Sequence, residues 1–115
     1  KNQVGKIMAT SREFIECVLE KVRTDGKVDC KKMFGEYMVY VDEKPILLIC
    51  DDTVFIKILP ETKAILGDDA VTGYPYDGAK EHFAIDPDDE KFDLIVSALE
   101  KITPPRKPHK ASKKG

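Results

Sequence analysis

The chain has 115 residues, 42% of them hydrophobic and 35% charged, which suits one soluble globular domain and leaves no room for a second core. Its net charge of −2 hides a division: five of the 19 Lys and Arg and none of the 21 Asp and Glu lie in residues 104–115. That segment carries +5, and residues 1–103 carry −7. No apolar run exceeds five residues, residues 46–50 being one such run, so no transmembrane or signal-peptide core is expected and a cytoplasmic location is. Cys17, Cys30 and Cys50 have no CxxC spacing, and they read as small half-buried hydrophobes rather than zinc ligands or a disulfide framework.

Met8-Ala9-Thr10-Ser11 reads as a natural start, which makes residues 1–7 an N-terminal extension. Thr10 and Ser11 are candidate N-caps, with Glu13 completing a capping box after Thr10. Phe14, Ile15, Val18, Leu19 and Val22 form one apolar stripe, so a helix is expected over residues 11–23, stopped by Asp25-Gly26. The pattern then changes to short β-rich runs, read as strands over residues 30–34, 37–41, 46–50 and 53–58. Gly35 marks a bend between the first two. Asp51-Asp52 is a two-residue hairpin turn, and residues 42–45 form another turn, centred on Glu43-Lys44.

Those turns imply a register. Cys50 would face Thr53 and Leu48 face Phe55; across the other hairpin, Val41 would face Ile46, Tyr40 Leu47, Val39 Leu48 and Met38 Ile49. One face would then hold Met38, Tyr40, Leu47, Ile49, Val54, Ile56 and Ile58. The other would hold Tyr37, Val39, Val41, Ile46, Leu48, Cys50 and Phe55. Both faces are apolar, whereas an antiparallel sheet with one wet face alternates apolar and polar residues. Pro60 opens a short helix over residues 61–66, ended by Gly67. A loop containing Gly73, Pro75 and Gly78 leads to a brief strand at residues 82–85. Pro87-Asp88-Asp89 starts a last helix with the stripe Phe92, Ile95, Val96, Leu99 and Ile102. The expected fold is α+β and two-layered, an antiparallel sheet flanked by helices in the order α-β-β-β-β-α-β-α. Residues 104–115 are Pro-rich, basic and have nothing to bury, so they are expected to be a disordered tail.

The chemistry-bearing residues are few. His82 lies on a short strand and His109 in the tail; neither has a spacing that pairs it with Cys30 or Cys50 as a nucleophile and base. There is no P-loop, GxGxxG or HExxH motif. The run Asp86, Asp88, Asp89, Glu90 and Asp93 lacks the glycine and terminal Glu of a calcium loop, and carboxylates suit the start of a helix. No catalytic residue, cofactor or metal is therefore expected, and a small enzyme is the remotest reading. Arg106, Lys107, Lys110, Lys113 and Lys114 give a weak, salt-sensitive attraction to phosphates or an acidic partner, which the −7 body opposes.

Lys32-Met33-Phe34-Gly35-Glu36-Tyr37, then Val39-Tyr40-Val41-Asp42 and the stretch from Leu48-Ile49-Cys50-Asp51-Asp52-Thr53 through Val54-Phe55-Ile56-Lys57, resemble the TfoX (Sxy) N-terminal-domain family. The resemblance reaches back to Met8-Ala9-Thr10-Ser11-Arg12-Glu13-Phe14-Ile15-Glu16. It reaches forward to Tyr74-Pro75-Tyr76-Asp77-Gly78-Ala79-Lys80, similar to a Pro-Tyr-x-Gly-Ala-Lys stretch in that family, and so spans residues 8–103. It implies a bacterial protein with a two-layer fold similar to the secretion-chaperone-like folds. Full-length members assist competence-gene transcription with the cyclic-AMP receptor protein and carry a second, C-terminal domain. Too few residues follow Ile102 for that domain, so a stand-alone form is expected. The resemblance carries over no catalytic residue.

The functional expectation is a small non-enzymatic regulatory or protein-interaction module. Its partner would be a second copy, in a homodimer, or another protein such as a transcription factor, through the face bearing Tyr37, Val39, Val41, Leu48 and Phe55. The alternative is a nucleic-acid-associated accessory protein working through the tail, with weak or no direct nucleic-acid contact; no membrane role is expected.

Overall fold

In a computed structural model of the chain, residues 11–33 and 35–105 are described. The expectations for Thr10, for Phe34 and for the tail cations Arg106, Lys107, Lys110, Lys113 and Lys114 fall outside those residues.

Helix α1 runs Arg12–Lys21. Ser11 is its N-cap: the Ser11 hydroxyl accepts the Phe14 N–H at 3.1 Å, satisfying one of the amides a helix start leaves unpaired. The Ser11 N–H itself donates to Asp52 Oδ1 at 2.7 Å, which ties the helix start to a strand turn 41 residues away. The helix ends two residues before the expected position because Val22 is already extended, with its side chain buried. Four strands follow, β1 (Val28–Met33), β2 (Glu36–Val41), β3 (Lys44–Cys50) and β4 (Thr53–Lys57). Helix α2 (Pro60–Leu66) leads through a 3-10 turn into β5 (Val71–Gly73), a short strand in the stretch read as loop. Strand β6 (His82–Ile85) and helix α3 (Phe92–Ile102) complete the fold. All neighbours are antiparallel, in the order β1-β2-β3-β4-β6-β5, as the α+β reading anticipates.

The expected strand at residues 53–58 stops one residue early, and Thr62 explains why. Its hydroxyl, fully buried, accepts the Leu59 N–H at 2.9 Å and donates to the Lys57 carbonyl at 2.8 Å, which pulls the chain out of the sheet and into α2. Helix α3 likewise begins at Phe92 rather than near Pro87. The preceding carboxylates instead hold turns: Asp86 Oδ1 accepts the Asp88 N–H at 2.9 Å and Asp89 Oδ1 the Lys91 N–H at 2.8 Å.

The β2–β3 register differs from the expected one. The turn is Asp42-Glu43, both residues at positive φ, with Val41 opposite Lys44. It is not centred on Glu43-Lys44, because Asp42 is anchored to the start of β1: its N–H donates to the Lys27 carbonyl at 2.8 Å and its carboxylate accepts the Lys27 N–H at 2.9 Å. Gly26 permits this approach, since a Cβ there would lie 2.8 Å from Val41 Cγ1 and overlap the Asp42 carboxylate. Tyr40 then faces Pro45 and Val39 faces Leu47, leaving Ile46 as the extra residue of a β-bulge. Pro45, which has no N–H to give a ladder, is tolerated at such an irregularity.

The bulge resets the faces. Tyr37, Val39 and Val41 lie with Leu47 and Ile49, not with Leu48. Beyond β3 the rows continue through Val54, Ile56, Phe83 and Ile85. These side chains form one core with Ile46, with Val22 just past α1, and with the helix residues Ile15, Val18, Leu66, Phe92, Ile95, Val96 and Leu99. All three helices therefore cover the same face of the sheet. Thr24 Oγ1 donates to Glu100 Oε1 at 2.8 Å and Lys44 Nζ to the Glu100 carbonyl at 2.9 Å, clamping the last turn of α3, where a cation suits the helix dipole.

Candidate functional site

The face opposite the helices is the larger unassigned surface. Antiparallel pairing aligns Lys31, Met38, Leu48, Phe55, Ala84 and Val71 in one row across all six strands. From Met38 to Val71 that row is apolar. Tyr40 lies beside it, and His82 meets Phe55 edge-on, with ring centroids 6.5 Å apart and planes at 85°. His82 Nδ1 lies 2.7 Å from the Lys80 carbonyl, an acceptor only, so Nδ1 is the donor of that bond. A cavity of about 110 Å³ opens between Met38, Leu48, Phe55, Lys57 and His82, large enough for a few apolar side-chain atoms.

The expected interaction residues do not share this surface. Val39 and Val41 are fully buried beneath the helices, and Tyr37 packs on the same core. Leu48 and Phe55 are on the helix-free side. The division follows from Ile46: one extra residue in β3 inverts every position that a turn-derived register assigns in β2 relative to β3. Leu48 and Phe55, which face one another across β3 and β4, are each only 8% exposed, and Tyr40 is 7% exposed. Exposed apolar surface concentrates farther along, at the end of the row. Val71 is 65% exposed, and Tyr74 and Tyr76, just past β5, are 64% and 49% exposed. Residue-level reasoning missed these three because a three-residue strand between Gly67 and Gly73 has too short a pattern to stand out from a loop; the pair Val71-Thr72 is its one β-branched signal.

Two other cavities, of about 290 and 260 Å³, share Val71, Ala84, Ile85 and Asp86. Asp52 lines the first and Asp89 the second, and both carboxylates accept backbone N–H groups already described. Among the described residues, no group of three or more His, Cys, Asp and Glu side chains is placed to hold a metal ion. Cys50 pairs with Thr53 and His82 with Lys57, at opposite ends of β4, which separates the two side chains. Burial pushes the Cys30 thiol up, and burial followed by the negative charges of Glu36 and Asp51 pushes up that of Cys50, so both favour the protonated, weakly nucleophilic form. None of the helices among the described residues is long and apolar enough to cross a membrane.

No family model and no solved structure matches the chain. It is 30% identical over 110 residues to a protein of Spirochaeta aurantia described as an uncharacterized 12.7 kDa protein in the trpE 5′ region, a match covering 93% of this chain and 95% of that one.

Proposed function

We propose that the chain, which belongs to the same family as the Spirochaeta aurantia protein, is a non-enzymatic protein-interaction module that associates with itself. The observation that supports this reading is the unequal dress of the sheet. Three helices crowd one face, while the other carries an apolar row from Met38 to Val71 whose outer end is open to solvent. Leu48 and Phe55 in the middle of the row are buried, so the apolar surface in water is its outer end, Val71 with Tyr74 and Tyr76. Covering such surface contributes about 25 cal/mol for each Å² and favours association. A homodimer is the simplest closed solution, because one patch then satisfies its own copy. A regulatory role of the kind the TfoX resemblance implies would follow from such a module acting beside a transcription factor in the cytoplasm.

Light scattering across a concentration series tests the reading, and the expected result is a mass rising from one chain toward two. A chain that stays monomeric at the highest concentrations removes self-association. The alternative, nucleic-acid association through Arg106, Lys107, Lys110, Lys113 and Lys114, rests on the +5 of residues 104–115. A gel shift that disappears on removing those residues would favour it.

A further inference from the structure

We infer that self-association occurs through the edge of β5, which pairs antiparallel with β5 of a second copy about a two-fold axis at Thr72. The inference rests on the self-association reading and specifies its surface. The two edges of the sheet differ. β1 presents the exposed cations Lys31 and Lys32, the kind of charge that keeps an open strand from pairing. β5 has no charged residue in Val71-Thr72-Gly73, and Val71 and Thr72 are both exposed. Of the five large hydrophobics most exposed among the described residues, Val71, Tyr74 and Tyr76 gather at this edge.

The local sequence is complementary to itself. With Thr72 facing Thr72 of the second copy, Val71 faces Gly73 and Ala70 faces Tyr74, so each larger side chain meets a smaller one. Ala70 is already extended, at φ −62 and ψ 138, which lets the pairing run one residue beyond β5. The same register sets Asp69 against Pro75 and Asp68 against Tyr76, so the carboxylates next to the strand are not brought opposite one another. The two-fold keeps both helix layers on one side and joins two six-stranded sheets into one. Five paired residues, Tyr74 among them, and the flanking Tyr76 make a small interface, which puts the dimer at the weak end of specific association.

The test uses the full chain, with dimerisation followed by sedimentation from about 1 μM to about 1 mM, the range a weak interface demands. Two variants are compared, Val71→Lys at the edge and Met38→Lys in the middle of the apolar row, each first shown by circular dichroism to be folded. The edge assignment expects Val71→Lys to weaken self-association at least about ten-fold while Met38→Lys associates as the parent does. A second measurement needs no variant: amide exchange of residues 70–74 should slow as concentration rises, since pairing engages their backbone groups. Normal association of Val71→Lys, or exchange at 70–74 independent of concentration in a chain that does dimerise, overturns the edge assignment and leaves self-association standing. A parent chain that is monomeric throughout overturns both.

Discussion

The bulge in β3 makes a quantitative prediction about which of three consecutive residues supports the core. In a regular strand, neighbours point to opposite faces, so Ile46 and Leu48 would share one face and Leu47 take the other. Here Ile46 and Leu47 both belong to the helix-covered core, whereas Leu48 does not. Truncation to alanine in that core removes apolar contact and leaves a cavity closed in by helices, which costs about 2–5 kcal/mol. Leu48 instead lies outside that core, on the helix-free face, so Leu48→Ala loses mainly the transfer energy of its three missing carbons, about 2.4 kcal/mol, without a void closed in by helices. Ile46→Ala and Leu47→Ala should therefore each be less stable than Leu48→Ala, by roughly 1 kcal/mol, or about 4–8 °C in Tm for a domain of this size. Urea unfolding of the three variants, with m-values held near the parent's, measures the difference. If Leu48→Ala proves the most damaging of the three, Leu48 faces the helices, the bulge is absent, and the assignment of the two faces collapses.

Two further consequences concern buried groups. Thr62→Val nearly preserves shape but leaves the Leu59 N–H and the Lys57 carbonyl without the hydroxyl, so a loss of about 2–4 kcal/mol is expected, against about 1 kcal/mol for Thr62→Ser, which keeps it. Equal stability of the valine variant and the parent in urea would show that these two bonds do not terminate β4. Cys30 and Cys50 have their thiols raised above the ordinary value of 9.0, chiefly by burial, so the folded state holds their protons more tightly than the unfolded chain does. The corresponding stability is present below pH 9 and is lost as pH rises through the raised values. A disulfide reagent at pH 8 should accordingly react with the folded chain several-fold more slowly than with the chain in urea, and Cys50→Ser should flatten the alkaline fall in stability. Equal labelling rates in the two states would contradict the shift.

Local chemistry made much of the fold legible. The apolar stripe of α1, its Ser11 cap, the Asp51-Asp52 turn, Pro60 at the start of α2 and the stripe from Phe92 to Leu99 are all set by residues within a few positions of one another. Interactions of that range are visible in a linear pattern. The Cys50–Thr53 register, fixed by a two-residue turn, was legible for the same reason.

The faces of the sheet were not. β2 and β3 are apolar at both odd and even positions, so shifting one against the other by a residue conserves hydrophobicity, and alternation has nothing with which to choose. The choice is made by contacts distant in sequence. Lys27 holds Asp42 and so places the turn, Ile46 bulges, and the helices close over Val39 and Val41 rather than over Leu48. The exposure of Val71, Tyr74 and Tyr76 belongs to the same class, because an edge exists only once the order of strands is settled. The sequence by itself determined the three helices, every strand but β5, their order along the chain and the acidic body with its basic end. Only the tertiary structure decided which apolar residues are core and which are surface, since burial depends on which distant segment arrives to cover them.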